Sequence, residues 1–166
     1  MAVALRVAST RARRHASRLR EDAKRLLVAM GLKRAELSVI VVDDSTIQGL
    51  NREFRGKDAP TDVLSFSQVE EVGSAPPDPL QLVDKPGMIL GDVVISIDTA
   101  LKQASRYEVT PRSRLRTLLV HGVLHLVGYD HERSRADARK MFARERELAD
   151  AIGKSKPRMS RRRRGR

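Results

Sequence analysis

The sequence predicts an α+β domain: one mixed sheet of about four strands packed against about five helices. Three observations carry that expectation. Runs of β-branched residues alternate with stretches whose apolar residues recur at helical spacing, in the order βαβαββααα. The 166 residues suffice for one domain with a real core and are too few for two comfortable ones. The core must be aliphatic, because the chain has three Phe, two Tyr and no Trp.

Residues 2–8 read as a strand, with Val3, Leu5 and Val7 alternating with smaller or polar residues. A helix follows from Thr10 to Met30, where Ala12, Ala16, Leu19, Ala23, Leu26, Leu27 and Met30 share a face and Gly31 supplies a stop. ELSVIVVDD, residues 36–44, is a β-branched strand. Asp44 or Ser45 is placed to cap the next helix, which carries Ile47, Leu50 and Phe54 and ends near Gly56. TDVLSFS, residues 61–67, reads as a strand after Pro60. Residues 68–87 are acidic and proline-rich, hence a long loop. MILGDVVISID, residues 88–98, is a strand in which Gly91 marks a bulge or a close approach. Helices are expected over 98–107, from Pro111 to Val127, and over 134–152.

The domain therefore spans residues 1–152, and residues 153–166 form a basic tail predicted to be disordered. The tail holds eight Lys/Arg and no acid, so of the net charge of +12 only +4 belongs to the rest. Such a tail suits a polyanion such as nucleic acid, and its bland alternative is a solubilising role. The first twenty residues contain six Arg and no acid, as transit peptides do, but the alternation at Val3, Leu5 and Val7 favours a strand. No apolar run approaches the roughly 20 residues of a membrane span, so no membrane partner is expected. With no cysteine, any metal must be held by nitrogen and oxygen ligands.

HGVLHLVGYDH, residues 121–131, holds three of the four histidines. On a helix, His121 and His125 lie four apart and share a face. That helix is apolar nearly all round, so it should be buried, and buried imidazoles need partners. Gly128 can end the helix and turn the chain so that His131 reaches the other two. Three imidazoles converging in this way make a metal site with an open fourth position, for which zinc is the first candidate and nickel, iron or copper are permitted. The alternative has two of the histidines satisfied separately by core carbonyls and the third on the surface. Asp130 is either a hydrogen-bond partner of a ligand imidazole or an exposed turn residue. The spacing also matches the H-E-x-x-H-x-x-G-x-x-H pattern of metzincin proteases, which suggests a metalloprotease-like arrangement of the metal-binding helix. Their general-base Glu is replaced here by Gly122, which weakens a protease reading. A metal-activated water can still attack a phosphodiester.

HGVLHLVGYDH, preceded by FRGKDAPTDVLSF (54–66) and GDVVIS (91–96), closely resembles the YbeY family over about residues 2–150. These are bacterial metal-dependent endoribonucleases of ribosomal RNA maturation. The resemblance implies a cytoplasmic, single-strand-specific endoribonuclease acting in 16S rRNA 3′-end maturation and small-subunit quality control. It implies one Zn2+ per chain on His121, His125 and His131, with His121 and Arg55 in catalysis, and RNA of the small ribosomal subunit as substrate. Ribosome-associated proteins would be further partners. One departure shows: Ser67 stands where the family usually has proline. Arg55 suits phosphoryl transfer because its fork can hold two phosphate oxygens, and its alternative is a solvated cation at a helix C-terminus. Lys57 is a weaker phosphate candidate, and Asp62 and Ser65 either support the site or serve as a strand-end cap and an inward small residue. The aromatic residues are too few and scattered along the chain for a stacking platform, so RNA binding is expected from a basic groove fed by the Arg-rich first helix. Two rivals remain at this stage: a metal-dependent peptide or amide hydrolase, and a non-enzymatic ribosome-assembly factor with a structural metal.

Overall fold

The structure, a computed structural model, describes residues 1–69 and 84–154. Strands β1 (Ala2–Val7), β2 (Glu36–Val42), β3 (Val63–Ser67) and β4 (Ile89–Ser96) form one sheet in the order β1-β2-β4-β3. β1, β2 and β4 run parallel, and β3 closes one edge antiparallel to β4. The helices are α1 (Ala16–Ala29), α2 (Asp44–Arg55), α3 (Ile97–Arg106), α4 (Pro111–Leu126) and α5 (Arg135–Gly153). The described residues therefore form the expected α+β domain, with a mixed four-stranded sheet and five α-helices. Most of the loop expected over 68–87, and the tail beyond Lys154, lie outside the described residues.

Alternation along the strands divides the core in two. Val93 and Ile95 join the large cluster with α1, α4 and α5, while Val94 and Leu64 join Ile47 of α2 in a smaller one on the other face. The seven Leu and Val residues of α4 from Leu115 to Leu126, and Val127 just after it, are all buried. α4 packs against β3 and β4 and also touches α1, α3 and α5. Its tie to α1 is ionic: Asp22, 1% exposed, accepts from Arg112 and Arg116, one turn apart on α4, at 3.2 Å each.

Several boundaries differ from the sequence pattern for identifiable reasons. Thr10–His15 forms a 3-10 segment rather than the start of an α-helix. Ser9 makes no side-chain cap and the first turn carries Arg11 and Arg13 without an acid, so its N–H groups are met by tight i→i+3 bonds such as Ala12 N–H to Ser9 O. β2 stops at Val42 because Asp43, and neither Asp44 nor Ser45, caps α2 by accepting from Thr46 N–H at 2.8 Å. Asp44 is taken instead by Ser96 and Thr99 hydroxyls, both at 2.6 Å, and by Lys102 at 2.9 Å. β4 ends at Ser96, whose side chain caps α3. β3 starts at Val63 because the Asp62 carboxylate accepts the Val63 N–H at 2.8 Å. Gly91 does sit at a bulge: the pairing shifts between Glu36 and Leu37, and a Cβ at Gly91 would clash with Phe66 O.

Candidate metal centre

α4 brings His121 and His125 onto its one half-buried face, one turn apart. Gly128 follows with φ +103° and sends the chain back so that His131 reaches them. The ring centroids lie 4.8 Å (His121–His125), 5.2 Å (His121–His131) and 5.1 Å (His125–His131) apart. Each ring offers a nitrogen within 4.8 Å of the other two, so the three can hold a metal ion. Two observations show that the donors fit such an ion. His131 Nδ1 is buried and has no hydrogen-bond partner among the described residues. Burial, reinforced by the neighbouring His121 and His131, pushes His125 down to about 4, against a smaller upward pull from Asp130. His125 is therefore neutral at pH 7, with a lone pair to give.

His121 is held from behind. Its Nδ1–H donates to Glu145 Oε2 of α5 at 2.7 Å, which leaves Nε2 for the shared point. The sequence pattern offered Asp130 for this part. Asp130 instead accepts from Glu132 N–H at 2.8 Å and pairs with Arg133 at 3.2 Å. The sequence does carry a signal for Glu145: Met141, Glu145, Leu148 and Ile152 fall on one helical stripe, and the other three are the buried residues of α5. A carboxylate in an otherwise apolar stripe needs a buried partner.

The strand β3 fixes where α4 sits. Ser65 Oγ donates to Gly122 O at 2.9 Å, and Ser67 Oγ donates to Leu126 O at 2.8 Å. Two hydroxyls two apart on a strand thus grip two carbonyls four apart on the helix. Ser67, the departure from the family pattern, holds the last turn of α4, the helix that carries His121 and His125. Gly122 allows the approach, since a Cβ there would lie 2.6 Å from Val93 Cγ1 and 3.2 Å from Ser65 Oγ. No side chain, and so no protease-type Glu, fits at that position.

His121, His125 and His131 open onto a cavity of about 750 Å³ that β3, Phe54 and Arg55 also line. Arg55, 43% exposed, places Nη2 3.8 Å from Glu132 Oε1. Arg55 thus lines the same cavity as the imidazoles. Lys57 does not line the cavity. Asp62 does, but its carboxylate is engaged by Val63 N–H, Gln103 and Arg114. Among the described residues, none of α1 lines the cavity and Arg55 is its one Lys/Arg, alongside Asp62, Asp130 and Glu132. The expected basic groove fed by the first helix is not found at this cavity.

Comparison with known proteins fits this geometry. A family model described as Endoribonuclease YbeY matches residues 6–153. A protein of an Anaeromyxobacter species named Endoribonuclease YbeY is 48% identical over 153 residues, which cover 92% of this chain and 73% of that protein. One of the same name from Geobacter metallireducens is 46% identical over 145 residues, covering 84% and 90%. The solution structure of a Thermotoga maritima protein shares the fold at a TM-score of 0.61, with 24% identity and coverage of 93% and 97%.

Proposed function

The chain belongs to the Endoribonuclease YbeY family, and on that premise we propose that it is a zinc-dependent endoribonuclease that cuts single-stranded RNA in 16S rRNA 3′-end maturation and small-subunit quality control. The observation that carries the reading is the convergence of His121, His125 and His131 in one cavity with Arg55. The proposed setting is the cytoplasm, with the small ribosomal subunit and its associated proteins as partners. Among the described residues, no helix is long and apolar enough to cross a membrane.

A divalent cation held by three imidazoles supplies Lewis acidity at a phosphate and lowers the pKa of water. The chain's own residues do the rest. Glu145 fixes the tautomer and orientation of His121. Arg55 has five N–H donors in a planar fork, suited to holding two phosphate oxygens and to stabilising charge as it develops there. Its long ion pair with Glu132 leaves those donors available. A peptidase reading fares worse, because the position that serves metzincins as general base is closed to side chains at Gly122.

The test is cleavage of structured rRNA, and of casein, by purified protein with and without chelator, alongside His121→Ala and Arg55→Ala. RNA cleavage should require metal, disappear with His121→Ala, and fall by about 10²–10³-fold in kcat with Arg55→Ala at unchanged metal content. Cleavage that survives chelation, or proteolysis of casein, would overturn the reading.

A further inference from the structure

The chain has three phenylalanines, far apart in sequence, and all three border the metal centre. Phe54 and Phe66 line the cavity, and the Phe142 ring lies 5.6 Å from that of His131. Phe54 is 59% exposed, in a protein whose other α2 apolar residues pack inward against the sheet. Its ring meets that of Phe66 edge to face, with centroids 5.1 Å apart and planes at 72°. That contact uses at most one face of either ring, so at least one face of Phe54 is not covered by Phe66.

We infer that Phe54, propped by Phe66, is a base-binding subsite: a shelf on which an unpaired nucleobase stacks beside the phosphate held at Arg55. Phe54 and Arg55 are consecutive, with Cα atoms about 3.8 Å apart, and both line the cavity, so a ring and a cation border one groove. Among the described residues the cavity is lined by one Lys/Arg and three carboxylates, so charge alone does not grip RNA there. An aromatic face accepts any base, which supplies affinity without sequence preference. Bases in a duplex are already stacked on both faces and cannot use the shelf, so it favours single strands. The inference rests on the endoribonuclease reading and adds the residue that senses the unpaired base.

The experiment compares wild type with Phe54→Ala, Phe54→Leu and Phe54→Trp on a fluorescent single-stranded oligoribonucleotide. A matching series carries one abasic nucleotide at each position in turn. Phe54→Ala should raise KM by about 5- to 150-fold, the range of one lost base–aromatic stack, with kcat and metal content unchanged. Phe54→Trp should restore KM and Phe54→Leu should not. At one abasic position wild type should drop to the level of Phe54→Ala, and the variant should lose nothing further, as coupled partners do. An unchanged KM in Phe54→Ala, or full rescue by Phe54→Leu, overturns the shelf and leaves Phe54 as apolar surface for a protein. If wild type cuts no oligonucleotide, the endoribonuclease reading fails instead. Fluorescence anisotropy with the same probes then judges the shelf alone, and equal affinity of wild type and Phe54→Ala refutes it.

Discussion

Gly122→Ala separates helix propensity from packing, because the two predict opposite signs. On an isolated helix the change would stabilise by about 1 kcal/mol. Here the new methyl lands 2.6 Å from Val93 Cγ1, roughly 1 Å inside the usual carbon–carbon optimum. Val93 is fully buried, β-branched, and paired to Val39 on one side and Ser65 on the other, so neither its rotamer nor its strand can yield. Relief must come from α4 moving off the sheet, which stretches the 2.9 Å bond from Ser65 Oγ to Gly122 O. Overpacking costs about 1–3 kcal/mol and the weakened hydrogen bond about 1 kcal/mol. Set against the propensity gain, the net is a loss of about 1–3 kcal/mol. For a chain of this size that lowers Tm by roughly 2–12 °C, read by circular dichroism on metal-free protein. Because α4 carries two of the three imidazoles, metal affinity should fall as well. A variant as stable as wild type, or more so, would refute the close contact and the account of why no side chain stands at 122. Gly122→Glu, which restores the metzincin spelling, should be destabilised further and gain no peptidase activity.

Glu145→Ala should weaken metal binding by about 10–100-fold in a chelator competition, with Glu145→Gln in between; unaltered affinity would show that the carboxylate does not orient His121. Burial raises the Asp44 carboxyl, but the bonds from Ser96, Thr99 and Lys102 outweigh it and hold the group below its ordinary value. Its unfolded form therefore binds the proton first as pH falls, so the stabilisation is complete above about pH 4 and is lost as pH drops through the lowered folded value. Thr99→Val should flatten that acid-side loss in urea titrations, and an identical pH slope would dismiss the network. Deleting residues 155–166 removes seven cations, so the salt slope of RNA binding should fall by at most about 5 while metal content stays the same. An unaltered slope would place RNA binding elsewhere.

The element types, the buried character of α4 and the identity of the three imidazoles were all legible in the residues alone. Those depend on local periodicity and on one glycine at a helix end, and local rules act over a few residues. Strand ends and caps were less legible, because Asp43 and Asp44 are equivalent as local cap candidates. The choice between them is made by Ser96, Thr99 and Lys102, some fifty residues away. Only the tertiary structure decided which carboxylate supports His121, since Glu145 and Asp130 lie on different elements and only the packing of α5 on α4 brings one of them into reach. It also decided that Gly122 is glycine for want of space against β4, that Ser67 grips the metal helix, and that the three scattered phenylalanines meet at one site. Each of these is a contact between residues with no sequence proximity, and such contacts exist only once the sheet and helices have packed.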